Sequence, residues 1–198
     1  MSEAPATTNY DKFQTGNPLV QWLIRRFYRR IGEAIGPATA GRVFDAGCGE
    51  GESLDRLKPQ LGPATLIGAD LGADSLQWAA RRHPAACFTR QDLRRLALAD
   101  NAADLTLCLE VLEHVPEPDA ALAELLRVTS DRLVLSVPHE PWFRLGSLAR
   151  GKYVSRWGNH PEHINHWNPR SFRRWLAPHC REVEITRSFP WIIARCRP

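Results

Sequence analysis

The chain alternates between two spacings of apolar residues, one typical of helices and one typical of strands. Helical spacing, with apolar residues every three or four positions, occurs around 52–58, 73–82 and 117–128. Short apolar runs between these stretches predict strands at 42–46, 65–70, 86–91, 104–109 and 132–137. Strands that alternate with helices form a mostly parallel sheet with helices on both faces. The pattern therefore predicts an α/β fold.

Two further segments lie outside that alternation. The segment NPLVQWLIRRFYRRIGEAIG predicts a leading amphipathic helix, with Asn17 as its cap and Gly36 at its end. Its non-core face carries four arginines, which favour a solvated face, with contact to an anion or a membrane as the alternative: Arg25, Arg26, Arg29 and Arg30. The tail EVEITRSFPWIIARC predicts two strands with a tight connection at 188–190. We expect this pair to form an antiparallel edge of the sheet.

Composition limits the class of protein further. With 198 residues, 43% of them hydrophobic, the chain can bury one substantial core, which indicates a single domain. The 26 basic and 22 acidic residues give an ordinary mixed surface, so the net charge of +4 is only a weak argument for an anionic partner. Five cysteines, an odd number with no C-x-x-C spacing, are typical of a reduced protein. Because the sequence shows neither a run of about 18 apolar residues nor a signal peptide, we expect a cytoplasmic protein, with peripheral membrane contact as an alternative.

The stretch VFDAGCGEG at 43–51 places three glycines at alternate positions after a predicted strand. Ligands bind beyond the carboxyl ends of parallel strands, where glycines let a ligand approach the backbone and a helix N-terminus offers free N–H groups. The spacing differs from the dinucleotide fingerprint G-x-G-x-x-G, because position 52 is Glu52, and no Gly-Lys-Ser/Thr follows. We interpret the turn as a ligand site, with a ligand-free flexible turn as the alternative.

Acidic residues end the next two predicted strands. Asp70 closes TLIGAD, at the distance from the glycines where a carboxylate can accept hydrogen bonds from both hydroxyls of a ribose. Asp92 closes the third run and could accept a hydrogen bond from an adenine amine. Each could instead be a helix cap or turn residue. Together with the glycines they favour an adenosine ligand.

With these pieces in place, the sequence resembles the class I S-adenosylmethionine-dependent methyltransferases, specifically the group that includes the ubiquinone-biosynthesis O-methyltransferases. The matching motifs are VFDAGCGEG, GADL, RQDL, ADLTLCLEVLEHV and RLVLSVP, in the family's order and spacing. One departure is the segment TSD, which replaces the usual Pro-Gly-Gly turn before the fifth strand. The resemblance implies a Rossmann-like sheet of seven strands with an antiparallel C-terminal edge. It divides the chain into a helical cap (1–40), a cofactor-binding core (41–138), a substrate lid (139–168) and a C-terminal helix with a strand pair (169–198).

The resemblance also implies S-adenosylmethionine as cofactor and S-adenosylhomocysteine as product. The methionine part would lie at Asp45, Gly47, Cys48 and Gly49, and the ribose at Asp70. Asp92 and Leu93 would lie near the adenine. The same pocket would be completed by Leu71, Leu109 and Glu110.

The motif EVLEH supplies the candidate catalytic groups. A base is needed only if the acceptor is protonated, and the candidates at the cofactor end of the sheet are Glu113, His114 and His139. In some relatives the same motif is associated with a metal, and the ligands here would be Glu110, Glu113, His114 and His163. We favour a metal-free enzyme, with this divalent metal site as the alternative.

Residues 139–168 interrupt the alternation and mix aromatic with basic side chains, as a substrate lid or a membrane-contacting segment would. We expect 140–157 to make any peripheral contact with an anionic membrane, through Arg144, Arg150 and Arg156. The function we expect is in-line SN2 transfer of a methyl group to an oxygen of a small, apolar or lipid-linked acceptor. The alternatives are a metal-dependent RNA 2'-O-methyltransferase, disfavoured because the chain has no RNA-binding module or long basic tract, and a non-catalytic module that binds the cofactor.

Overall fold

The computed structural model describes residues 16–37, 41–140 and 163–198. Its helices are α1 (Pro18–Ile35), α2 (Glu52–Leu61), α3 (Ala73–Arg82), α4 (Pro118–Val128) and α5 (Pro169–Leu176), with a short 3₁₀ helix at Leu112–His114. Its strands are β1 (Arg42–Ala46), β2 (Thr65–Asp70), β3 (Cys87–Arg90), β4 (Ala103–Leu109), β5 (Thr129–Pro138), β6 (Glu182–Ser188) and β7 (Trp191–Arg197). Every predicted helix and strand is confirmed, with ends that differ by a few residues.

The seven strands form one sheet in the order β3-β2-β1-β4-β5-β7-β6. Strands β1 to β5 pair in parallel, whereas β7 is antiparallel to both β5 and β6. The chain moves from β1 to β2 and β3 on one side and later returns to β4 on the other. A crevice therefore opens between the carboxyl ends of β1 and β4, where doubly wound sheets bind ligands.

The central strands β1, β4, β5 and β7 are largely buried on both faces because each face of the sheet packs against helices. On β1, Val43 packs with α1 and α2, while the next residue, Phe44, packs into the other core with α4 and α5. Successive side chains of a strand point to opposite faces, which explains why the buried strands read as continuous apolar runs. None of the helices in the described ranges has the length and apolarity that a membrane span requires.

Helix α1, whose presence the sequence predicts, lies over the antiparallel side of the sheet. The Asn17 side chain accepts hydrogen bonds from the N–H groups of Leu19 and Val20, which caps the first turn. Phe27 packs against Trp191 with ring centroids 4.8 Å apart. The carbonyl of Ile35, the last residue of α1, accepts a hydrogen bond from Arg132 near the start of β5. The first turns of α1 therefore point toward the carboxyl edge of the parallel strands.

Candidate active site

The glycine-rich turn between β1 and α2 adopts backbone angles that favour glycine. Gly47, Gly49 and Gly51 have φ of 77°, 50° and 77°. A Cβ at Gly47 would clash with the side chain of Val111, so this glycine makes room for protein rather than directly for a ligand. A Cβ at Gly49 would meet nothing within 4 Å. Gly49 is therefore the glycine of the turn that faces open space.

Asp70 holds this turn in place. Its Oδ2 accepts a hydrogen bond of 2.9 Å from the Gly49 N–H, and its Oδ1 accepts one of 2.8 Å from the Gly72 N–H. A carboxylate can accept about four hydrogen bonds, so each oxygen retains a lone pair for a further donor. Asp70 thus fixes the glycine turn and can still accept hydrogen bonds from hydroxyl groups in the crevice.

Two residues that the sequence analysis missed hold the turn from the other side. Arg82, at the end of α3, donates a hydrogen bond of 3.1 Å to the Glu50 carbonyl. Nε2 of His83 lies 3.0 Å from the Gly51 carbonyl, and a Cβ at Gly51 would lie 2.8 Å from the His83 ring. Because basic residues are common in the last turn of any helix, the sequence carries no signal that these two contact the turn.

Asp45 is the next-to-last residue of β1, two positions before Gly47. Its side chain is buried, and its Oδ2 has no hydrogen-bond partner among the described residues. Burial, and then the charge of Asp70, raises the pKa of Asp45 to about 7. A buried carboxylate of this kind can be compensated by a cationic group bound beside it.

Cys48, between Gly47 and Gly49, packs inside the protein. Its side chain is buried, its Sγ lies 3.7 Å from the Gly49 carbonyl, and burial raises the pKa of its thiol. A Cβ at Gly68 of β2 would come within 2.9 Å of this sulfur. Cys48 therefore acts in this structure as a neutral packing residue under the turn.

The residues predicted to lie near the adenine include an exposed apolar side chain and a carboxylate that is paired with an arginine. Leu71, directly after β2, is 61% exposed and leaves an apolar surface beside Asp70. Both Asp92 oxygens lie within hydrogen-bond distance of the Arg94 guanidinium, and this contact lowers the pKa of Asp92. The Leu93 side chain is buried in the hydrophobic core. An adenine contact of Leu93 would have to involve its backbone, which the sequence analysis did not consider.

Glu110, the first residue after β4, has a φ of 59°, which is uncommon for a residue with a side chain. The Ser136 hydroxyl donates a hydrogen bond of 2.8 Å to Glu110 Oε1, and the Glu110 N–H lies 3.1 Å from the Ser136 carbonyl. These contacts join the carboxyl ends of β4 and β5. Leu109 is half-buried against the core that contains α1 and α2.

A cluster of potential proton-transfer or metal-binding groups follows β4. Ligand atoms of Glu113, His114 and His163 all lie within 4.8 Å of one another. Glu113 and His163 are buried, whereas the His114 side chain is 36% exposed. Nε2 of His114 lies 3.9 Å from Glu113 Oε1, and the two imidazole rings are 4.9 Å apart in an edge-to-face arrangement. We call these three residues the Glu-His-His cluster.

Backbone contacts hold this cluster together over a separation of 50 residues. The N–H groups of Ile164 and Asn165 lie 2.9 and 3.2 Å from the Glu113 carbonyl. The Asn165 side-chain amide donates to the carbonyls of Leu112 and Val115. Of the four candidate metal ligands, the structure brings together three, and Glu110 lies apart in its contact with Ser136.

His139, the third candidate catalytic residue, lies at the end of β5 outside this cluster. Its N–H donates a hydrogen bond of 2.9 Å to the Pro190 carbonyl, and it forms a bridge with Trp167. Burial, and then the positive charge of Arg187, lowers the pKa of His139. The imidazole is therefore neutral at neutral pH. The predicted membrane contact at 140–157, with Arg144, Arg150 and Arg156, lies almost wholly outside the described residues, which include only Glu140 of that range.

Comparisons with known proteins agree with this geometry. A family model described as a methyltransferase domain matches residues 44–133. A demethylmenaquinone methyltransferase of Renibacterium salmoninarum is 31% identical over 144 residues, which cover 72% of this chain and 60% of that protein. A ubiquinone biosynthesis O-methyltransferase of Leptothrix cholodnii is 28% identical over 173 residues, which cover 81% of this chain and 72% of that protein.

A solved structure agrees as well. Magnesium protoporphyrin IX methyltransferase from Synechocystis, solved with bound SAH, has a TM-score of 0.65 to this chain at 20% identity, over 96% of this chain and 94% of that one. The chain thus contains a methyltransferase domain at 44–133 and has the fold of the class I S-adenosylmethionine-dependent methyltransferases. Within that class it is similar to the methyltransferases of quinone biosynthesis, although it spans less than two thirds of the length of the first curated relatives that it matches.

Proposed function

We propose that the chain transfers the methyl group of S-adenosylmethionine to an oxygen atom of a small, apolar or lipid-linked acceptor. The observation that carries the proposal is the juxtaposition at one crevice of a cofactor-type turn and proton-accepting groups. Gly49, Asp70 and Asp45 lie at the ends of β1 and β2, and the Glu-His-His cluster follows the neighbouring strand β4.

The residues present fit the cofactor. S-adenosylmethionine, when bound, supplies a methyl group that is already activated on a sulfonium. Asp70 would accept hydrogen bonds from the ribose hydroxyls. The open space at Gly49 would admit the part of the cofactor that links its ribose to its amino acid group. The buried Oδ2 of Asp45, which has no partner among the described residues, would compensate the cationic amino group.

The protein then has to position the acceptor and remove a proton from its hydroxyl. His114 is the partly exposed member of the Glu-His-His cluster, so we assign it as the base that takes this proton. The buried Glu113 carboxyl, 3.9 Å away, would stabilise the resulting imidazolium as its counter-charge. Holding the acceptor oxygen in line with the methyl group and excluding water supply the remaining part of the rate enhancement.

The acceptor class rests on relatives whose names refer to demethylmenaquinone and to ubiquinone biosynthesis. A quinone ring with a hydroxyl group is small, but its prenyl tail is apolar and resides in a membrane. The test is methyl transfer from labelled S-adenosylmethionine to a prenylated catechol or quinol. We expect a methylated product from this prenylated catechol or quinol. Transfer only to an RNA 3' end would contradict the proposal in favour of the RNA alternative, and tight cofactor binding without transfer to any acceptor would identify a non-catalytic module.

The raised pKa of Asp45 predicts that ligand binding releases a proton. In the free protein Asp45 is mostly protonated below pH about 7, whereas a bound ammonium group favours the carboxylate. Affinity for S-adenosylhomocysteine should therefore rise with pH by up to about tenfold per pH unit below that value and level off above it. Calorimetry in buffers of different ionisation enthalpy measures the released proton. Asp45→Asn should remove this pH dependence; if proton release persists in the variant, another group is responsible.

A metal-dependent form of the same reaction is the second candidate, because the Glu-His-His cluster brings three suitable ligands together. Carboxylate and imidazole together suit several divalent ions, Zn²⁺ among them. A bound ion there would lower the pKa of the acceptor hydroxyl, and His114 would then be a ligand and not the base. Glu110 would not take part unless its contact with Ser136 were broken.

Chelation and His163 separate the two forms of the mechanism. For the metal-free enzyme that we propose, EDTA should leave turnover unchanged, and His163→Ala should lower it much less than His114→Ala. Loss of activity in EDTA that is restored by Mg²⁺ or Zn²⁺, together with equal losses in the two variants, would favour the metal-dependent enzyme. Metal content by mass spectrometry of the purified protein gives a readout that is independent of activity.

A further inference from the structure

Large apolar side chains are exposed toward the edge of the sheet at which the crevice opens. Among the described residues, five large hydrophobic side chains are strongly exposed: Leu19 (63%), Trp22 (50%), Leu71 (61%), Ile164 (52%) and Phe189 (49%). Leu71 belongs to the proposed cofactor site. The other four, which we call the apolar rim, have no function in the reaction proposed above.

All four residues of the rim lie toward the carboxyl edge of the parallel strands. The Ile164 N–H donates to the Glu113 carbonyl, next to the Glu-His-His cluster. Phe189 lies in the turn between β6 and β7, where the neighbouring Pro190 accepts a hydrogen bond from His139. Leu19 and Trp22 lie in the first turns of α1, about 12 and 8 Å along the helix axis from Phe27. Since Phe27 packs on Trp191 at this edge, these turns extend past it.

Helix α1 adds positive charge directly behind the rim. Trp22, Arg26 and Arg29 are spaced by four and three residues and therefore share the outward face of the helix. The Arg26 guanidinium lies over the Trp22 ring, 5.5 Å from its centroid, and both Arg25 and Arg29 are exposed. Glu33 contacts Arg29 and Arg30, so the outward face keeps a net positive charge.

We propose that the apolar rim and the arginines of α1 form a docking surface for an anionic lipid bilayer. Tryptophan and leucine insert at the boundary between headgroups and acyl chains, and arginines behind them pair with anionic headgroups. The charge of this face matches an anionic membrane. Docking in this orientation turns the crevice toward the bilayer. The functional meaning of this orientation rests on the lipid-linked acceptor proposed above. The surface differs from the segment 140–157 that the sequence analysis favoured for membrane contact.

Sedimentation of the full chain with vesicles of phosphatidylcholine and phosphatidylglycerol tests the surface without cofactor or acceptor. We expect binding at low salt that weakens as salt is added. The double variant Leu19→Ser/Trp22→Ser should reduce the partition coefficient ~10- to 100-fold, because it removes two inserted side chains. Arg25→Gln/Arg29→Gln should reduce it ~5-fold per arginine and flatten the salt dependence.

Trp78 provides a matched control, because Arg81 lies over its ring, 5.8 Å from the centroid, but on helix α3. Trp78→Ser should leave vesicle binding unchanged. The proposal is overturned if the wild-type chain does not bind anionic vesicles, if the Leu19/Trp22 variant binds as the wild type does, or if the rim instead joins two copies of the chain in sedimentation equilibrium. Calorimetry with S-adenosylhomocysteine checks that each variant is folded. Because the vesicle assay needs no catalysis, failure of the docking surface is distinguishable from failure of the proposed methyl transfer.

Discussion

Replacing His114 with alanine is expected to reduce turnover ~100- to 10,000-fold, the usual contribution of a general base. The affinity for S-adenosylhomocysteine should stay within about twofold of the wild-type value, because the proposed cofactor contacts are made by Asp45, Gly49 and Asp70 and not by His114. The loss should appear in kcat and in kcat/KM alike, since the interaction is made only as the proton is transferred. Kinetic measurement of methyl transfer to a prenylated catechol by the wild type and by His114→Ala determines the size of this loss.

His179 offers the matched control for this experiment. It is an exposed histidine in the turn after α5, at the opposite edge of the sheet, and His179→Ala should retain wild-type turnover. Glu113→Gln keeps the shape of the buried side chain and removes its charge, so it should reduce turnover less than His114→Ala does. Full activity of a folded His114→Ala protein on its acceptor would exclude both the base and the metal-ligand roles.

The fold could be predicted from the sequence because the four central strands, β1, β4, β5 and β7, are largely buried between two layers of helices. Such strands produce apolar runs, and Val43 and Phe44 illustrate how neighbouring residues enter different cores. The exception is the start of β5, which the sequence analysis placed at 132 and the structure begins at Thr129. Thr129 is buried there and its hydroxyl is 2.7 Å from the Thr106 hydroxyl on β4. A buried polar residue that forms its hydrogen bond with a neighbouring strand does not extend the apolar run from which a strand is predicted.

The candidate site was predictable only where its residues are close in sequence or carry a family motif. The glycine turn and Asp70 belong to local strand-to-helix patterns, and the structure brings them together. Arg82 and His83 contact turn residues that are about 30 positions away in the sequence. Neither segment contains a sequence pattern that predicts these contacts. The separation of Glu110 from Glu113 was also unpredictable, because the motif fixes their spacing but not the left-handed backbone at Glu110 that directs its side chain to Ser136.

Asp70→Ala is expected to weaken binding of S-adenosylhomocysteine ~10- to 100-fold. Charge-assisted hydrogen bonds to the ribose contribute about 1.5 to 3 kcal/mol, and the substitution removes their acceptor. The structure adds a second reason, because the same carboxylate fixes the Gly49 and Gly72 N–H groups. Loss of these contacts frees the glycine turn, so we expect the upper part of this range. Isothermal titration calorimetry provides the dissociation constants.

Two further variants serve as comparisons for Asp70→Ala. Asp74→Ala removes an exposed carboxylate from the first turn of α3, four residues away, and should bind the ligand as the wild type does. Asp70→Asn keeps one oxygen acceptor for a backbone N–H but loses the charge and the second acceptor. Because the two Asp70 oxygens accept from two different N–H groups, Asp70→Asn sets its amide NH2 against one of these donors, and its affinity should fall between that of the wild type and that of Asp70→Ala. An unchanged dissociation constant in a folded Asp70→Ala protein would remove Asp70 from the cofactor site, and with it the assignment of the carboxyl end of β2 as the ribose-binding region.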